Sequence, residues 1–250
     1  MPTPSGARPT LDASLPPAWS LRRPKPAARA VLDLVLAPLR MVALPDTASE
    51  RLGLTSLRAE RFAAVLPEMR GRCLDIGAGD NALLRCYRHL AGELGVSPED
   101  AAASVGVDAV DWGSDVLCIE TPARLPFPAA SFDTVSFVAC INHIPERQAA
   151  LIEARRVLRP GGRLLVTMIG RFLGGLGHRL WWYSEDKHRD VDEEELMGMD
   201  PPEVRALLDA GGFELKRVRR FVYGMNSLYV AEPRSARQGE PRTARQGEPG

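Results

Sequence analysis

The chain has 250 residues and 32 basic and 32 acidic side chains, so its formal net charge is zero. Hydrophobic residues make up 45% and charged residues 26%, which excludes a fibrous or fully disordered chain. The length suits one globular domain with additions, or at most two small domains. The balanced charge argues against a general nucleic-acid-binding protein, because such proteins carry a strong basic excess.

The N-terminal part of the chain divides into two segments by composition. Residues 1–26 are rich in Pro, Ser, Thr and Arg, which predicts a disordered N-terminus. Residues 27–69 are predicted to form a helical extension with helices near 27–44 and 47–67, the second capped by Thr47 or Ser49.

The first of these helices is predicted to be amphipathic. Ala30/Val31, Leu34/Val35 and Leu39 recur at helical spacing, a pattern suited to a helix that covers an active site. Asp33 and Pro38 lie in the same stretch and exclude a transmembrane span.

Strands and helices alternate over residues 70–232, which predicts one α/β domain. The predicted strands are Cys73–Ile76, Ser104–Val107, Asp115–Ile119, Phe132–Ile141, Arg163–Ile169, Phe213–Val222 and Asn226–Glu232. The predicted helices are Asn81–Leu94, Glu146–Leu158 and Pro202–Ala210. The fold expected is a Rossmann-like, doubly wound, mostly parallel sheet closed by an antiparallel C-terminal hairpin.

The tail, residues 233–250, holds two copies of an eight-residue repeat, Arg-Ser/Thr-Ala-Arg-Gln-Gly-Glu-Pro. The repeat has no apolar face to bury, and two copies are too few for a solenoid. We expect a disordered tail without a catalytic role.

A glycine pair lies where the first strand passes into the first helix of the domain, in Leu74-Asp-Ile-Gly-Ala-Gly79. Glycines at such a turn let the backbone approach a ligand. The pair also fits a dinucleotide fingerprint loosely, but the carboxylate of Asp75 suits an ammonium or sulfonium better than a pyrophosphate. Asp108 ends the second strand, where a carboxylate can either accept two ribose hydroxyls or stand solvated.

Two further motifs follow, Leu125-Pro-Phe-Pro-Ala-Ala-Ser-Phe-Asp-Thr-Val135 and Val157-Leu-Arg-Pro-Gly-Gly-Arg-Leu-Leu-Val166. With the glycine loop, their order and spacing resemble the class I S-adenosylmethionine (SAM)-dependent methyltransferases over about residues 70–232. The resemblance is nearest to the subgroup with the ubiquinone and menaquinone C-methyltransferases.

The resemblance implies SAM as the cofactor and a role for each matching residue. Asp75, Gly77, Ala78 and Gly79 would hold its methionine part, and Asp108 its ribose. The backbone of Thr121-Pro122-Ala123 would flank adenine, and Val138, Ala139 and Cys140 would close the methionine side.

The chain departs from the family pattern at two positions. Asn81 stands where the family often has a third glycine, and asparagine tolerates the left-handed conformation. Thr121, with Glu120 beside it, stands where the family commonly has the acidic residue that contacts the adenine amino group. Backbone contacts are therefore expected to contribute more to adenine binding.

His143 follows the fourth strand and is the candidate general base. An imidazole titrates near neutrality, but methyl transfer needs a base only when the acceptor must lose a proton. His143 is therefore either the base or part of the pocket wall, as in many members of the family.

The segment 170–200 is the least family-like and is predicted to be a substrate-recognition insert. It contains Trp181-Trp182-Tyr183, which either contact a planar or lipidic acceptor or pack the insert onto the core. His178 and His188 have no standard metal-site spacing, so no metal is expected.

The four cysteines form no CxxC pair and have apolar sequence neighbours, which indicates reduced core thiols and a cytoplasmic location.

The function expected is SAM-dependent methylation of a small molecule: a quinone, phenol, lipid or specialised metabolite. The alternatives are an RNA- or protein-directed methyltransferase, a SAM-binding relative without activity, and an NAD-linked oxidoreductase. An Arg cluster at the cleft rim would favour RNA, and the candidates are Arg155, Arg156, Arg159, Arg217, Arg219 and Arg220. The oligomeric state is not determined by the sequence.

Overall fold

The computed structural model of the protein describes residues 27–37, 49, 51–52, 54–112, 115–170 and 198–234. The predictions of a disordered N-terminus over residues 1–26 and a recognition insert over residues 170–200 lie almost wholly outside the described residues. The same holds for the repeat tail.

The strands form one seven-stranded sheet with the order β3-β2-β1-β4-β5-β7-β6. Their bounds are β1 Cys73–Ile76, β2 Val105–Asp108, β3 Leu117–Cys118, β4 Phe132–Val138, β5 Leu158–Ile169, β6 Phe213–Phe221 and β7 Asn226–Pro233. The pairs β1–β2, β1–β4, β2–β3 and β4–β5 are parallel, which confirms the predicted doubly wound sheet.

Helices and short turns connect the strands and cover the sheet. The helices are α1 Ala27–Val35, α2 Leu57–Val65, α3 Ala82–His89, α4 Ala91–Leu94, α5 Pro98–Ala102, α6 Arg147–Val157 and α7 Pro201–Ala210. Short 3₁₀ turns occupy Leu66–Glu68 and Ile141–His143.

Two buried clusters on opposite faces of the sheet make the core, as strands apolar on both faces require. One cluster includes Val135 and Phe137 of β4 with Leu151 of α6. The other includes Phe62 of α2 and Leu84 of α3. The sheet is therefore the middle layer between two layers of helices.

The strand order fixes where a ligand can bind. From β1 the chain moves outward through β2 to β3, and β4 then returns to the other side of β1. Crevices in such sheets open beyond the carboxyl ends of the strands, at the point where the winding reverses. The glycine loop after β1 and the segment after β4 meet at this point.

The C-terminal hairpin forms as predicted and gives the sheet its antiparallel edge. β7 inserts between β5 and β6 and pairs antiparallel with both, so the edge strand is β6. The interior strand β7 is almost fully buried, whereas the edge strand β6 carries exposed Lys and Arg side chains. Charges on an edge strand discourage pairing with another chain.

Several predicted boundaries differ from the structure. The helix predicted to end before Pro160-Gly161-Gly162 ends earlier, because Leu158 already pairs with Phe132 at the start of β5. The third strand is only two residues long, and the fourth ends at Val138. The N-cap of α2 is Ser56, whose hydroxyl accepts a hydrogen bond from the amide of Ala59 at 3.1 Å.

The prediction that all four cysteines are core thiols was only partly correct. Cys73 and Cys86 are buried, but Cys118 is exposed because β3 is a two-residue edge strand with no cover. Cys140 is half-buried. The cytoplasmic location inferred from these residues stays a prediction. Within the described ranges, the helices are too short or too polar to cross a bilayer.

Candidate active site

The glycine loop folds tightly against the end of β2. The amides of Gly77 and Ala78 both donate to the carbonyl oxygen of Val107, at 2.9 and 3.1 Å. Gly77 has φ +73°, and a Cβ there would lie 2.6 Å from the Cβ of Cys140. Only glycine fits at this close approach between the segments after β1 and β4.

Gly79 faces open space instead. It has φ +54°, and no atom lies within 4 Å of the position that a Cβ would take. Its conformation, rather than crowding within the protein, is what favours glycine here. The backbone at Gly79 is thus open to a bound molecule.

Asp108 connects this loop to the segment after β2. Its Oδ2 accepts a hydrogen bond from the amide of Gly79 at 2.8 Å, and its Oδ1 accepts one from the amide of Val110 at 3.0 Å. A carboxylate offers about four acceptor positions, so each oxygen can still accept a hydroxyl. The carboxylate is fixed in place and remains able to bind a diol.

Asn81 continues the turn in the left-handed region, with φ 61°, as expected where the family often has glycine. The residue is buried, and its Nδ2 donates to the carbonyl oxygen of Asp115 at 3.2 Å. Asparagine therefore adopts the required conformation and also ties the glycine loop to the approach to β3.

A pocket of about 510 Å³ opens at this edge of the sheet, a size that suits a small-molecule ligand. It is lined by Ile76, Gly77, Asp108, Ala109, Val110, Trp112, Ile119, Glu120, Thr121, Pro122, Cys140, His143, Ile144, Pro145 and Glu146. Three carboxylates line it, and among the described residues no Lys or Arg does. Apart from His143 and Cys140, the ionisable side chains in the described lining are therefore carboxylates, and most of the other lining residues are apolar.

The structure brings six of the predicted site residues together in this pocket: Gly77, Asp108, Thr121, Pro122, Cys140 and His143. The other six do not line it. Of these, Ala78 and Gly79 belong to the loop beside it, and Ala123 donates its amide to Thr121 Oγ1 at 3.1 Å. The remaining three are Asp75, Val138 and Ala139.

Val138 is the last residue of β4, and Ala139 follows it. Ala139 has φ 57° and donates its amide to the hydroxyl of Thr167 at 2.9 Å. This bond orients the chain so that the next residue, Cys140, faces the pocket. The Cys140 thiol donates to the carbonyl oxygen of Ile76 at 2.9 Å.

Asp75 is buried below the loop, with 2% of its surface exposed. Its Oδ1 accepts a hydrogen bond from the hydroxyl of Ser136 at 2.7 Å. Burial raises the pKa of this carboxyl from 3.8 to about 7, and the charge of Asp108 adds to the rise while Ser136 opposes it. Asp75 therefore lies beneath the loop and does not line the pocket.

Thr121 holds a carboxylate at the mouth of the pocket. Its hydroxyl donates to Glu146 Oε2 at 3.1 Å, and both residues line the pocket. Glu146 comes just before α6, in the segment after β4. The family commonly has its acidic residue at the position of Thr121, after β3, so Glu146 places a carboxylate beside that position from a different part of the chain.

His143 lies on the pocket wall at the end of the 3₁₀ turn. Its backbone amide donates to the carbonyl oxygen of Cys140 at 2.9 Å, and its Nε2 lies 3.0 Å from Nδ2 of Asn142. The side-chain amide of Asn142 therefore contacts one of the two ring nitrogens of His143.

Sequence reasoning missed Trp112, Ile119, Ile144 and Glu146 as pocket residues. Trp112 lies four residues after Asp108. A large aromatic side chain in a loop next to a predicted ligand residue indicates a binding role, so Trp112 could have been found from the sequence. Ile119, Ile144 and Glu146 carried no such signal, because they come together only through the strand order.

The chain matches a known sequence family over the strands that build this site. Residues 74–166 match the family described as a methyltransferase domain. The sheet order confirms the predicted Rossmann-like fold, and the match shows that its central part is similar to this family.

Named relatives support the predicted subgroup. The ubiquinone/menaquinone biosynthesis C-methyltransferase UbiE of Bordetella avium is 35% identical over 128 residues, which are 49% of each chain. The UbiE protein of Azotobacter vinelandii is 27% identical over 195 residues, 68% of this chain and 77% of that protein. The chain thus spans about half the length of the first of these relatives.

A solved structure agrees at the level of the fold. A SAM-dependent methyltransferase of Thermotoga maritima, described as a possible histamine N-methyltransferase, superposes with a TM-score of 0.50 and 20% identity. The match covers 81% of this chain and 96% of that protein.

The buried carboxyl of Asp75 makes a prediction about stability. Its folded-state pKa lies above the ordinary value, so the stability it contributes is full below about pH 4 and is lost as the pH rises through about 7. Asp75→Asn keeps an acceptor for Ser136 and never ionises. We expect the free energy of unfolding of the Asp75→Asn variant, relative to that of the unchanged protein, to rise by up to about 4 kcal/mol between about pH 4 and about pH 7.

Urea denaturation at several pH values measures this difference. The exposed Asp111→Asn is the matched control and should follow the unchanged protein at every pH. If the free energies of unfolding of Asp75→Asn and of the unchanged protein change with pH in parallel, the raised pKa of Asp75 is contradicted.

Proposed function

We propose that the protein transfers a methyl group from SAM to a small-molecule acceptor. The charge of the pocket carries this proposal. The carboxylates of Asp108, Glu120 and Glu146 line it, and among the described residues no cationic Lys or Arg side chain does. Such a pocket repels the pyrophosphate of NAD and the phosphates of RNA, and it favours a positively charged sulfonium nucleoside.

Each part of the cofactor has a suitable partner among the residues present. Asp108 would accept the two ribose hydroxyls, and the glycine loop would approach the chain that joins ribose to the amino acid. Ile119, Pro122 and Ile144 offer apolar surface for a purine, and Trp112 offers an aromatic one. The predicted roles of Ala123, Val138 and Ala139 would be indirect, through the segments that they hold in place.

Asp75 would act on the methionine part through its charge rather than by contact. A cation bound beyond the glycine loop favours the ionised form of a carboxyl whose pKa is near neutrality. This arrangement fits a cofactor that carries an ammonium and a sulfonium.

The bound cofactor would supply an electrophilic methyl group. The protein's part in an in-line displacement is to position the acceptor, to exclude water and, where the acceptor is an acid, to take its proton. We propose a quinone, phenol, lipid or specialised metabolite as the acceptor, and the names of the UbiE relatives favour a quinone among these.

Three of the six arginines that would favour an RNA substrate pair with acidic side chains outside the pocket. Arg156 donates to Glu153, Arg159 donates to Asp133 at 2.7 Å, and Arg217 pairs with Glu68. The six candidate arginines are absent from the pocket lining. No observation on the described residues therefore favours RNA over a small molecule.

Binding of S-adenosylhomocysteine (SAH), measured by titration calorimetry, tests the cofactor assignment. We expect micromolar affinity in the unchanged protein and a loss of about 100-fold in Asp108→Ala, since two charge-assisted hydrogen bonds to the ribose disappear. The matched control is Asp111→Ala, three residues further on and outside the pocket lining, which should bind as the unchanged protein does.

NAD completes this experiment as a competing ligand. Binding of NAD without binding of SAH would overturn the methyltransferase proposal. Equal losses in Asp108→Ala and Asp111→Ala would show that Asp108 has no special role.

Glu146 makes a prediction about recognition of the purine edge. Held by Thr121, its carboxylate can accept a hydrogen bond from an exocyclic amino group. We expect Glu146→Gln to lower SAH affinity by about tenfold and to reduce discrimination against S-inosylhomocysteine, which has a carbonyl at that position.

The control is Glu120→Gln, which removes a carboxylate from the same pocket without removing the partner of Thr121. It should leave discrimination between the two ligands unchanged. If Glu120→Gln alone relaxes discrimination, Glu120 is the residue that recognises the amino group.

His143 is proposed as part of the pocket wall rather than as a base, because its Nε2 already lies in contact with the side-chain amide of Asn142. We expect His143→Gln to lower kcat by less than about tenfold and to keep the shape of the pH–rate profile, whereas loss of a general base costs about 10²–10⁴-fold. Rates with methyl-labelled SAM and an acceptor fraction from metabolite extracts measure this. A loss of the larger size, with the ascending limb of the profile gone, would make His143 the base.

A further inference from the structure

A group of charged side chains lies at the edge of the sheet where the parallel strands begin, away from the pocket. Arg163 stands near the start of β5, beside Thr134 of β4, and Glu68 ends the 3₁₀ turn that precedes β1. Nη1 of Arg163 donates to Glu68 Oε2 and to the Glu68 carbonyl oxygen, both at 3.3 Å. Arg217 of β6 donates to Oε1 of the same carboxylate. Two guanidinium groups from distant parts of the chain therefore share one carboxylate.

Arg70 brings a third guanidinium group to this place. Its Nη2 donates to the carbonyl oxygen of Gly161, two residues before Arg163. Burial lowers the pKa of Arg163, and the positive charges of Arg70 and Arg217 lower it further. Arg70, Arg163 and Arg217, here called the arginine cluster, therefore stand close enough to repel one another.

The arginine cluster carries more positive charge than its acidic neighbours offset. In the described part of the chain, Glu68 is the one carboxylate within ion-pair distance of these arginines. The carboxylate of Glu232 on β7 raises the pKa of Arg163 from a greater distance. Three guanidinium groups against these two carboxylates leave one positive charge in excess.

The guanidinium groups also keep N–H donors that the described residues do not use. Nη1 is the one nitrogen of the Arg163 side chain with an acceptor there, and its Nε is buried without one. Arg70 and Arg217 each donate through Nη2 alone. Both of these residues are exposed, so a molecule in solution can reach their remaining donors.

A phosphate group matches both the charge and the donors. Its charge at pH 7 is about −1.5 to −2 as a monoester, and its oxygens accept the paired N–H bonds that guanidinium groups offer. The arginine cluster converges on one place, which suits one phosphate or a pyrophosphate. A nucleic-acid backbone would instead require a line of positive charges to follow its successive phosphates.

We propose that the arginine cluster binds a phosphate-bearing ligand on the side of the sheet away from the pocket. The exposed guanidinium groups of Arg70 and Arg217 contact the phosphate oxygens, and the half-buried Arg163 adds its charge. The phosphate is either free in solution, as a small phosphate ester or pyrophosphate, or the headgroup of a lipid. The cluster shares no residue with the described pocket lining, so this binding does not depend on the proposed methyl transfer.

Titration calorimetry of the full chain with inorganic phosphate and with sodium pyrophosphate tests the proposal. We expect a Kd of about 1 mM for phosphate and an affinity at least about tenfold higher for pyrophosphate, which carries more charge and more acceptors. Both affinities should fall as sodium chloride is added, because exposed charges are screened.

Two single variants remove the exposed donors. Arg70→Gln and Arg217→Gln should each weaken pyrophosphate binding by about tenfold. The matched control is Arg220→Gln, which removes the same charge from the same strand. Residues three apart in a strand lie on opposite faces, and the charge of Arg220 acts on Tyr229 in the core cluster of the other face. This control should bind pyrophosphate as the unchanged protein does.

Glu68→Gln separates a ligand site from a purely structural network of ion pairs. The variant keeps the shape of the side chain and removes the anion that the arginines share, so pyrophosphate affinity should rise by about tenfold. If the arginines only hold Glu68 in place, this variant loses stability and gains no affinity. Urea unfolding with and without pyrophosphate measures both quantities, because a ligand of the folded state raises the midpoint.

Lipid vesicles distinguish the two sources of phosphate. Sedimentation with vesicles that contain phosphatidic acid, compared with phosphatidylcholine alone, assigns a lipid headgroup if Arg217→Gln loses the binding. Pyrophosphate binding without vesicle binding assigns a soluble phosphate, and either result supports the proposal. Far-UV circular dichroism of each variant reports an intact fold.

Three outcomes would overturn the proposal. One is that the unchanged protein binds neither pyrophosphate nor the acidic vesicles. Another is that Arg220→Gln weakens binding as much as Arg217→Gln does, since the effect would then be one of overall charge. The third is tighter binding of a single-stranded RNA oligomer that depends on Arg217 and Arg220 alike, which would assign the basic residues of β6 to a nucleic acid.

Discussion

The hydrogen bond from the Gly79 amide to the Asp108 carboxylate is the contact on which the arrangement of the site depends. It joins the loop after β1 to the end of β2, beside the bonds from Gly77 and Ala78 to Val107. Because a second amide fixes the other oxygen, the carboxylate has one orientation before any ligand arrives. The close fit of Gly77 against Cys140 adds the segment after β4 to the same rigid unit.

The electrostatics of the pocket determine the class of ligand more sharply than the glycine motif does. Glycine-rich loops of similar spacing hold phosphates in many proteins, through the backbone amides at a helix N-terminus. Here an amide of the loop is used by Asp108, and the side chains around the pocket are acidic. The basic side chains of β6 stand at the far edge of the sheet, where Arg217 pairs with Glu68 and the charges protect an open strand edge.

The N-terminal extension shows how one buried polar contact can reverse an amphipathic pattern. The spacing of Val31, Leu34 and Val35 is that of a stripe that normally packs inward. The Asp33–Thr55 pair points this stripe to solvent, while Arg58 holds the following helix on the glycine loop. The extension therefore has an inner polar attachment and an outer aliphatic face.

The sequence by itself determined the fold class, the positions of most strands and six residues of the pocket. Those features follow from local information: apolar runs, glycines that need positive φ, and carboxylates at strand ends. Tertiary structure decided the rest. The insertion of β7 beside β5, the meeting of Thr121 with Glu146 and the outward turn of α1 all join residues distant in sequence. Local patterns carry no record of such pairings, because their free energy arises only when the strand order brings the partners together.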